Sequence, residues 1–355
     1  MNNLPITVRR SIELMGLALL CYILIVGNGI ITPILLSFFL CLVILPIFRK
    51  LRSWKVPEVL SILICIIFLL MLLALLIWFF TSQIAALARD FPKLQSNITG
   101  YINSISAWIN EKTDFTTEKQ LEMINNESRN LVGYAGNILG TAASSISGLV
   151  VLLGLVPLYV FLMMYYRILI LKFLYMWFPL ERHGTLTKTI KETENVMKSY
   201  LVGLSIEIIY MTVLIGALLY FFGFKHALLI GVIVAILNLI PYIGPFIGNV
   251  LAILLTLTTT DDLWAILKVI AIIYVVQLID NNILMPKIVG GQIKINALAT
   301  ILGVIIGGAI AGVPGMFMSL PVLAILKIIF SNSEKFKHWG LLLGDDRPER
   351  NPMKT

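Results

Sequence analysis

Two carboxylates stand where the sequence is otherwise apolar. Glu207 lies about two turns into the run 200–222, and Asp280 sits about a turn and a half from the end of the run 263–285, just before Pro286. A charge held in hydrocarbon costs at least ~2.5 kcal/mol, so each side chain should face protein or water. Carboxylates in such places can take up and release a proton or a monovalent cation. The competing reading is a hydrogen-bonded structural carboxylate near an interface. Asp280 has polar company: Gln277, Asn281 and Asn282 crowd the same turn, and Gln277 shares a helical face with Asp280 or Asn281. Lys268 stands near the end of its run and is expected to snorkel.

Other chemistries find no residues to carry them. No catalytic triad, metal cluster or phosphate-cradling loop is visible, so an enzyme is not expected, and neither is a cofactor or a bound metal. Cys21, Cys41 and Cys65 fall inside apolar runs without metal-ligand spacing and read as lipid-facing or core filler. His183, His226 and His338 lie in or beside loops. The formal charge of +8 would suggest nucleic acid in a soluble protein. Here the basic residues gather in loops that the positive-inside rule places in the cytoplasm, and no nucleic-acid motif accompanies them.

These residues need elements to hold them, and the composition says which kind. Of 355 residues 59% are hydrophobic and 13% charged, with mean hydropathy +0.94. Soluble domains carry about 25% charged residues. Residues 59–80 have no charged side chain, and about 20 such residues cross a ~30 Å hydrocarbon layer. The chain is expected to be an all-α polytopic membrane protein. No small-residue cleavage site ends the first apolar run, so a cleavable signal is not expected.

The first apolar block, 12–47, is too long for one straight span and breaks at Gly27-Asn28-Gly29, followed by Pro33. Two helices in a tight hairpin fit it, with Arg9/Arg10 and Arg49, Lys50, Arg52 and Lys55 on the cytoplasmic side. A third span covers about 59–80. Residues 81–146 form a polar segment with five basic and six acidic residues, as expected outside the membrane. Within it Leu94, Ile98, Tyr101, Ile105 and Trp108 make the apolar stripe of an amphipathic helix. A fourth span, about 147–166, returns inside. Residues 167–200, with six basic and three acidic residues, are expected to lie on the cytoplasmic surface, anchored by Tyr175, Trp177 and Phe178. A fifth span, 200–222, goes out again, so that Glu207 and Asp280 both lie toward the cytoplasmic side.

The second half is interrupted. Residues 227–240 and 246–259 are two arms of ~14 apolar residues around Pro241-Tyr242-Ile243-Gly244-Pro245. After the span 263–285, residues 297–311 and 316–329 flank Gly312-Val313-Pro314-Gly315. Each arm is short for a span and suits half of a re-entrant hairpin, although each pair also fits one kinked span or two full ones. With one crossing between them the hairpins enter from opposite faces, leaving Asp261 and Asp262 outside and Lys287, Lys294 and the basic tail inside. This is the pattern of an inverted repeat. Freed backbone groups are tolerated only against protein or a watery cavity, which points to a substrate site at the two tips.

The expected organisation is a hairpin and third span in 1–80, an extracytoplasmic amphipathic segment in 81–146, a fourth span and surface helix in 147–200, a transport core in 201–330 and a cytoplasmic tail in 331–355. About eight membrane segments result, two of them broken or re-entrant hairpins.

Asn238-Leu239-Ile240-Pro241-Tyr242-Ile243-Gly244-Pro245 resembles the IPYIGP signature of the AI-2E family of permeases. The stretch from Gln277 through Asp280-Asn281-Asn282 to Pro286-Lys287-Ile288-Val289-Gly290 resembles a second signature, as does Gly307-Gly308 with Gly312-Val313-Pro314-Gly315-Met316 and Pro321. The resemblance covers nearly the whole chain. It implies an oligomeric, multi-spanning transporter of the cytoplasmic (inner) membrane, in a family that includes an autoinducer-2 exporter and sodium- or lithium-proton antiporters. The chain departs from the family at Leu204, where Gln is frequent, and at Asp280, where many members have Glu. Three functions follow as expectations: export of a small polar solute such as autoinducer-2, monovalent cation/proton antiport, or a non-transporting membrane scaffold. The expected substrate contacts are Gln277, Asp280, Asn281, Glu207, Asn238, Pro241, Tyr242, Gly244, Pro245, Gly312, Pro314 and Gly315.

Overall fold

Gly27 ends the first helix, and its N–H closes back on the Ile23 carbonyl at 2.8 Å. The helices α1 (Ile6–Val26) and α2 (Asn28–Ser53) therefore break where the Gly-Asn-Gly signal lies. The computed structural model describes residues 5–112, 154–260, 262–284 and 294–345. The remaining elements are α3 (Glu58–Lys112), α4 (Gly154–Tyr165), α5 (Arg167–Trp177), α6 (His183–Phe221), α7 (Ala227–Asn238), α8 (Ile243–Leu257), α9 (Leu263–Ile279), α10 (Ala297–Ser331) and α11 (Lys337–Leu343). No strand occurs among the described residues beyond an isolated bridge between Ile295 and Gly344.

Among the described residues, five helices are long and apolar enough, by length and composition, to cross a bilayer: Asn28–Ser53, Glu58–Ser82, Leu180–Phe221, Trp264–Leu284 and Ala297–Ser331, the last of which folds back on itself. The α4/α5 pair, bent by 64°, makes a sixth if it counts as one span. With α1 and the short α7/α8 pair, the apolar segments come to about the expected eight. In the Glu58–Ser82 span only 22% of the most apolar window is buried within the chain. An apolar surface that large is not left in water, so its outward face is covered by lipid.

Three boundaries differ from the sequence expectations. Helix α3 does not stop at Phe80 but continues 30 residues past Ser82, ~45 Å at 1.5 Å per residue. Its far part contains the stripe Leu94–Trp108, whose side-chain contacts lie outside the described residues, as do residues 113–146, Asp261, Lys287 and the end of the tail. The expected surface helix over 167–200 is divided into α5, a 3-10 turn over Leu180–Arg182 and the start of α6. Its first part, α5, turns away at Tyr166, while His183–Tyr200 belongs to one 39-residue helix with the fifth span. Nothing between 183 and 221 is a proline, and the glycines at 184, 203 and 216 are isolated, so no local signal interrupts the helix.

The chain forms two compact units. One comprises Met1–Ile66, Leu152–Val202 and Gly291–Thr355, the other Ile67–Val151 and Gly203–Gly290. In the first unit Phe39, Met197, Met318 and Ala324 form a buried cluster. There Ser37 Oγ donates to the carbonyls of Pro33 (2.6 Å) and Val156 (3.2 Å), tying α2 to α4. Arg167 lies 3.1 Å from Glu58 and stacks over the Phe48 ring. Cys41 and Cys65 are buried free thiols. In the second unit Met211, Ile215, Ile230, Val234, Ile273 and Val276 pack α6, α7 and α9 together.

Helix α10 is a hairpin in its backbone path. Ala311 (φ −135°) and Gly312 (φ +60°, ψ −142°) leave helical geometry. Gly303 lies against Leu323 and Gly307 against the backbone of Gly315. In a straight helix residues 303 and 323 would be ~30 Å apart, so the arms run antiparallel. The Gly312 conformation is essentially restricted to glycine. At the end of the first arm the Ile310 carbonyl accepts from Asn28 Nδ2 at 3.0 Å. At the start of α10, Asn296 Oδ1 caps the Ala299 N–H while its amide holds the carbonyls of Leu342 and Gly344.

Candidate functional site

The second unit gathers its polar side chains where three helices meet. Helix α6 supplies Glu207 and, three residues on and hence on the same face, Tyr210. Helix α7 supplies Asn238, its last residue. Helix α9 supplies Asp280, at the point where α-helix gives way to a π-helical turn over Asp280–Leu284. Such turns mark functional sites in many helices. Within this turn the Asn282 side chain donates to the Leu278 carbonyl at 2.8 Å.

Asn238 is held in place by the turn that follows it. The Ile243 N–H donates to the Pro241 carbonyl at 2.7 Å across Tyr242, which has φ +64° and ψ −48°. This is the γ-turn of the strained hand, rare for a residue with a side chain. Two residues later a Cβ at Gly244 would fall on the Leu237 carbonyl, so only glycine fits. The reversal sends α8 back along α7, with Gly248 against Val234. Tyr242 itself is exposed at the tip.

Both carboxylates are 3% exposed. Asn238 Nδ2 donates to Glu207 Oε1 at 2.6 Å and reaches Asp280 Oδ2 at 3.3 Å, while the Tyr210 hydroxyl donates to Asp280 Oδ1. One amide nitrogen thus touches both acids, and the bonded oxygens are no more than about 6 Å apart. No ion pair to either acid is found among the described residues. Two anions this close in a medium of low dielectric repel strongly, and neutral donors only partly offset that repulsion. A proton or a small cation on the pair removes it. Glu207 Oε2 is buried without a hydrogen-bond partner, and so is Gln277 Nε2, one turn before Asp280.

Of the residues expected from sequence, Glu207, Asn238 and Asp280 come together, and Gln277 adjoins them on α9. Asn281 is exposed. Pro241, Tyr242, Gly244 and Pro245 build the turn beside Asn238 rather than offering polar groups to the pair. Gly312, Pro314 and Gly315 form the hairpin tip of the other unit, where they shape backbone and carry no titratable group. Sequence reasoning missed Tyr210. Its spacing of three from Glu207 was the available signal, but a tyrosine on a membrane helix is too common for that spacing to single it out.

Comparison with known proteins gives the family. The chain is 25% identical over 311 residues to YrrI of Bacillus subtilis, a protein named only as a candidate transport protein, covering 86% of this chain and 87% of that one. It is 26% identical over 320 residues to the AI-2 transport protein TqsA of Escherichia coli, covering 89% and 90%. YueF of Bacillus subtilis, another candidate transport protein, is 26% identical over 322 residues, 84% and 83% of the two chains. The family model described as AI-2E family transporter matches residues 14–335. With a match of that extent, running through both interrupted hairpins and the acid pair, the chain belongs to the AI-2E family of membrane transporters.

Proposed function

We propose that this transporter is a secondary permease for a small polar solute and that Glu207 and Asp280 bind the coupling proton or monovalent cation. The single observation that carries this reading is the buried acid pair bridged by Asn238. It has neutral donors around it and no ion pair among the described residues. Holding two such anions in a membrane protein is costly unless their charge is relieved in part of a working cycle. Pro241–Pro245 lies beside the pair, so solute movement at that turn and a change of charge on the acids would be felt by the same residues.

Autoinducer-2 is the solute that the name of TqsA suggests, and export is the direction that the family resemblance implies. The distance to that relative, at 26% identity, supports the solute class more than the molecule. A second reading, sodium- or lithium-proton antiport, is favoured by the Glu207 oxygen left without a partner. A scaffold without transport is displaced by the family. In this reading residues 201–330 are the transport core with two oppositely inserted hairpins, the first four spans are the static part, and the protein works as a homo-oligomer. The basic loops support cytoplasmic termini in the inner membrane, by the positive-inside rule.

The test is flux in proteoliposomes with and without an imposed proton gradient, using autoinducer-2, sodium and lithium as cargoes. Gradient-dependent flux should vanish in Glu207→Gln and Asp280→Asn. If both variants keep full gradient-dependent flux, the coupling role is wrong. Sodium or lithium flux without autoinducer-2 flux would choose the second reading over the first.

A further inference from the structure

Away from the acid pair, the first unit holds a cleft of about 210 Å³ where α2 meets α6. Leu42, Leu45 and Pro46 form its apolar wall, and Arg49, Glu194 and Lys198 form its polar rim. Arg49 and Glu194 pair at 2.6 Å, which fixes the rim. Lys198, one turn beyond Glu194 on α6, makes no ion pair among the described residues. The rim therefore keeps one positive charge beyond its internal pair.

The place of the cleft along α2 says what kind of anion reaches it. Just past Arg49 the helix ends in Lys50, Arg52 and Trp54, with the Lys50 ammonium 5.5 Å from the Trp54 ring. Cations with an aromatic at the end of an apolar helix mark the boundary between hydrocarbon and headgroups. The apolar wall lies on the hydrocarbon side of the rim, because Leu42, Leu45 and Pro46 precede Arg49 along the helix. A ligand that fits must carry a negative group at the boundary and an apolar part extending toward the membrane interior. Basic pockets between membrane helices take anionic phospholipid headgroups on this principle.

The geometry points to a binding site for one anionic phospholipid, with its phosphate on Lys198 and the free edge of Arg49 and its glycerol and first methylenes on Leu42, Leu45 and Pro46. The Arg49–Glu194 pair holds the arginine so that its outward N–H groups remain available, and Lys198 supplies the charge that Glu194 does not cancel. Zwitterionic lipids bring a second, positive group to the same rim and should bind less well.

Native mass spectrometry of the full chain from mixed micelles with equal phosphatidylglycerol and phosphatidylcholine tests this. Wild type should retain phosphatidylglycerol at least fivefold over phosphatidylcholine. Lys198→Glu should abolish that preference, and Leu45→Trp, which fills the cleft without altering charge, should lower retention severalfold. Lys335→Glu, an exposed lysine outside the cleft, should leave it unchanged. Equal losses in Lys198→Glu and Lys335→Glu would mean diffuse attraction to a basic surface and would overturn the site. Displacement of the lipid by millimolar inorganic phosphate would show a site that reads phosphate alone, and that also overturns it. Size-exclusion elution checks folding of each variant; should Lys198→Glu fail, Lys198→Ala and Leu45→Trp decide, and full retention in both refutes the assignment.

Discussion

Replacing Asn238 by alanine removes the one group that touches both acids. Its amide donates to Glu207 at 2.6 Å and to Asp280 at 3.3 Å, and the other oxygen of Glu207 has no partner. The variant therefore leaves Glu207 with no hydrogen bond among the described residues, while Asp280 keeps Tyr210. A hydrogen bond to a charged group is worth ~1.5–3 kcal/mol in soluble proteins, whereas bonds between membrane helices average ~0.6 and reach ~1.7 kcal/mol. The upper membrane value applies here because the acceptor has no alternative donor, giving a loss of ~1.5 kcal/mol. That is about a tenfold change in any equilibrium that depends on the bridge, and a melting point lower by ~2–4 °C. The assays are thermal unfolding in detergent and gradient-driven flux in proteoliposomes. Asn249→Ala is the control, since it deletes a half-buried amide of the same unit whose buried oxygen already lacks a partner. Asn238→Ala should be the more damaging of the two in both assays. Wild-type melting and flux in Asn238→Ala, or equal effects from the two alanines, would refute the bridge.

Three further outcomes are expected. Tyr210→Phe removes the hydroxyl on Asp280 without changing ring volume and should lower gradient-driven flux severalfold while protein yield stays near wild type; unchanged flux would show that Asp280 needs no donor from α6. Gly312→Ala forces a side chain into φ +60°, ψ −142° and should cost ~1–3 kcal/mol, seen as a lower melting temperature. Asn28→Ala leaves the Ile310 carbonyl without its side-chain donor and should cost ~0.6–1.7 kcal/mol, read as a lower melting temperature; wild-type melting would refute the bond.

Much of the architecture was legible before folding, because a membrane simplifies the problem. Lipid offers no hydrogen bonds, so every apolar run of sufficient length must be helical, and the breaks at Gly27, Pro241–Pro245 and Gly312–Gly315 appear where Gly and Pro are placed. Boundaries set by the absence of a signal were harder to read. The continuity of α6 from His183 through Phe221 crosses the change from polar to apolar residues, and α3 likewise runs on past Ser82, because helical hydrogen bonding does not depend on what the side chains face.

The isolated charges in apolar runs, Glu207 and Asp280, could be found by composition alone, since each stands against a cost that the local sequence does not offset. Their partnership could not. They are separated by 73 positions and come within reach of one amide only because the turn at Tyr242 fixes the end of α7 between α6 and α9. Likewise, Asn28 reads as part of a helix break, and only the folded chain makes it the donor for a carbonyl 282 residues away. From sequence come the elements and the groups whose burial is costly, because those costs are local to each run. Which group answers which cost depends on packing between distant helices, and the tertiary structure alone decides it.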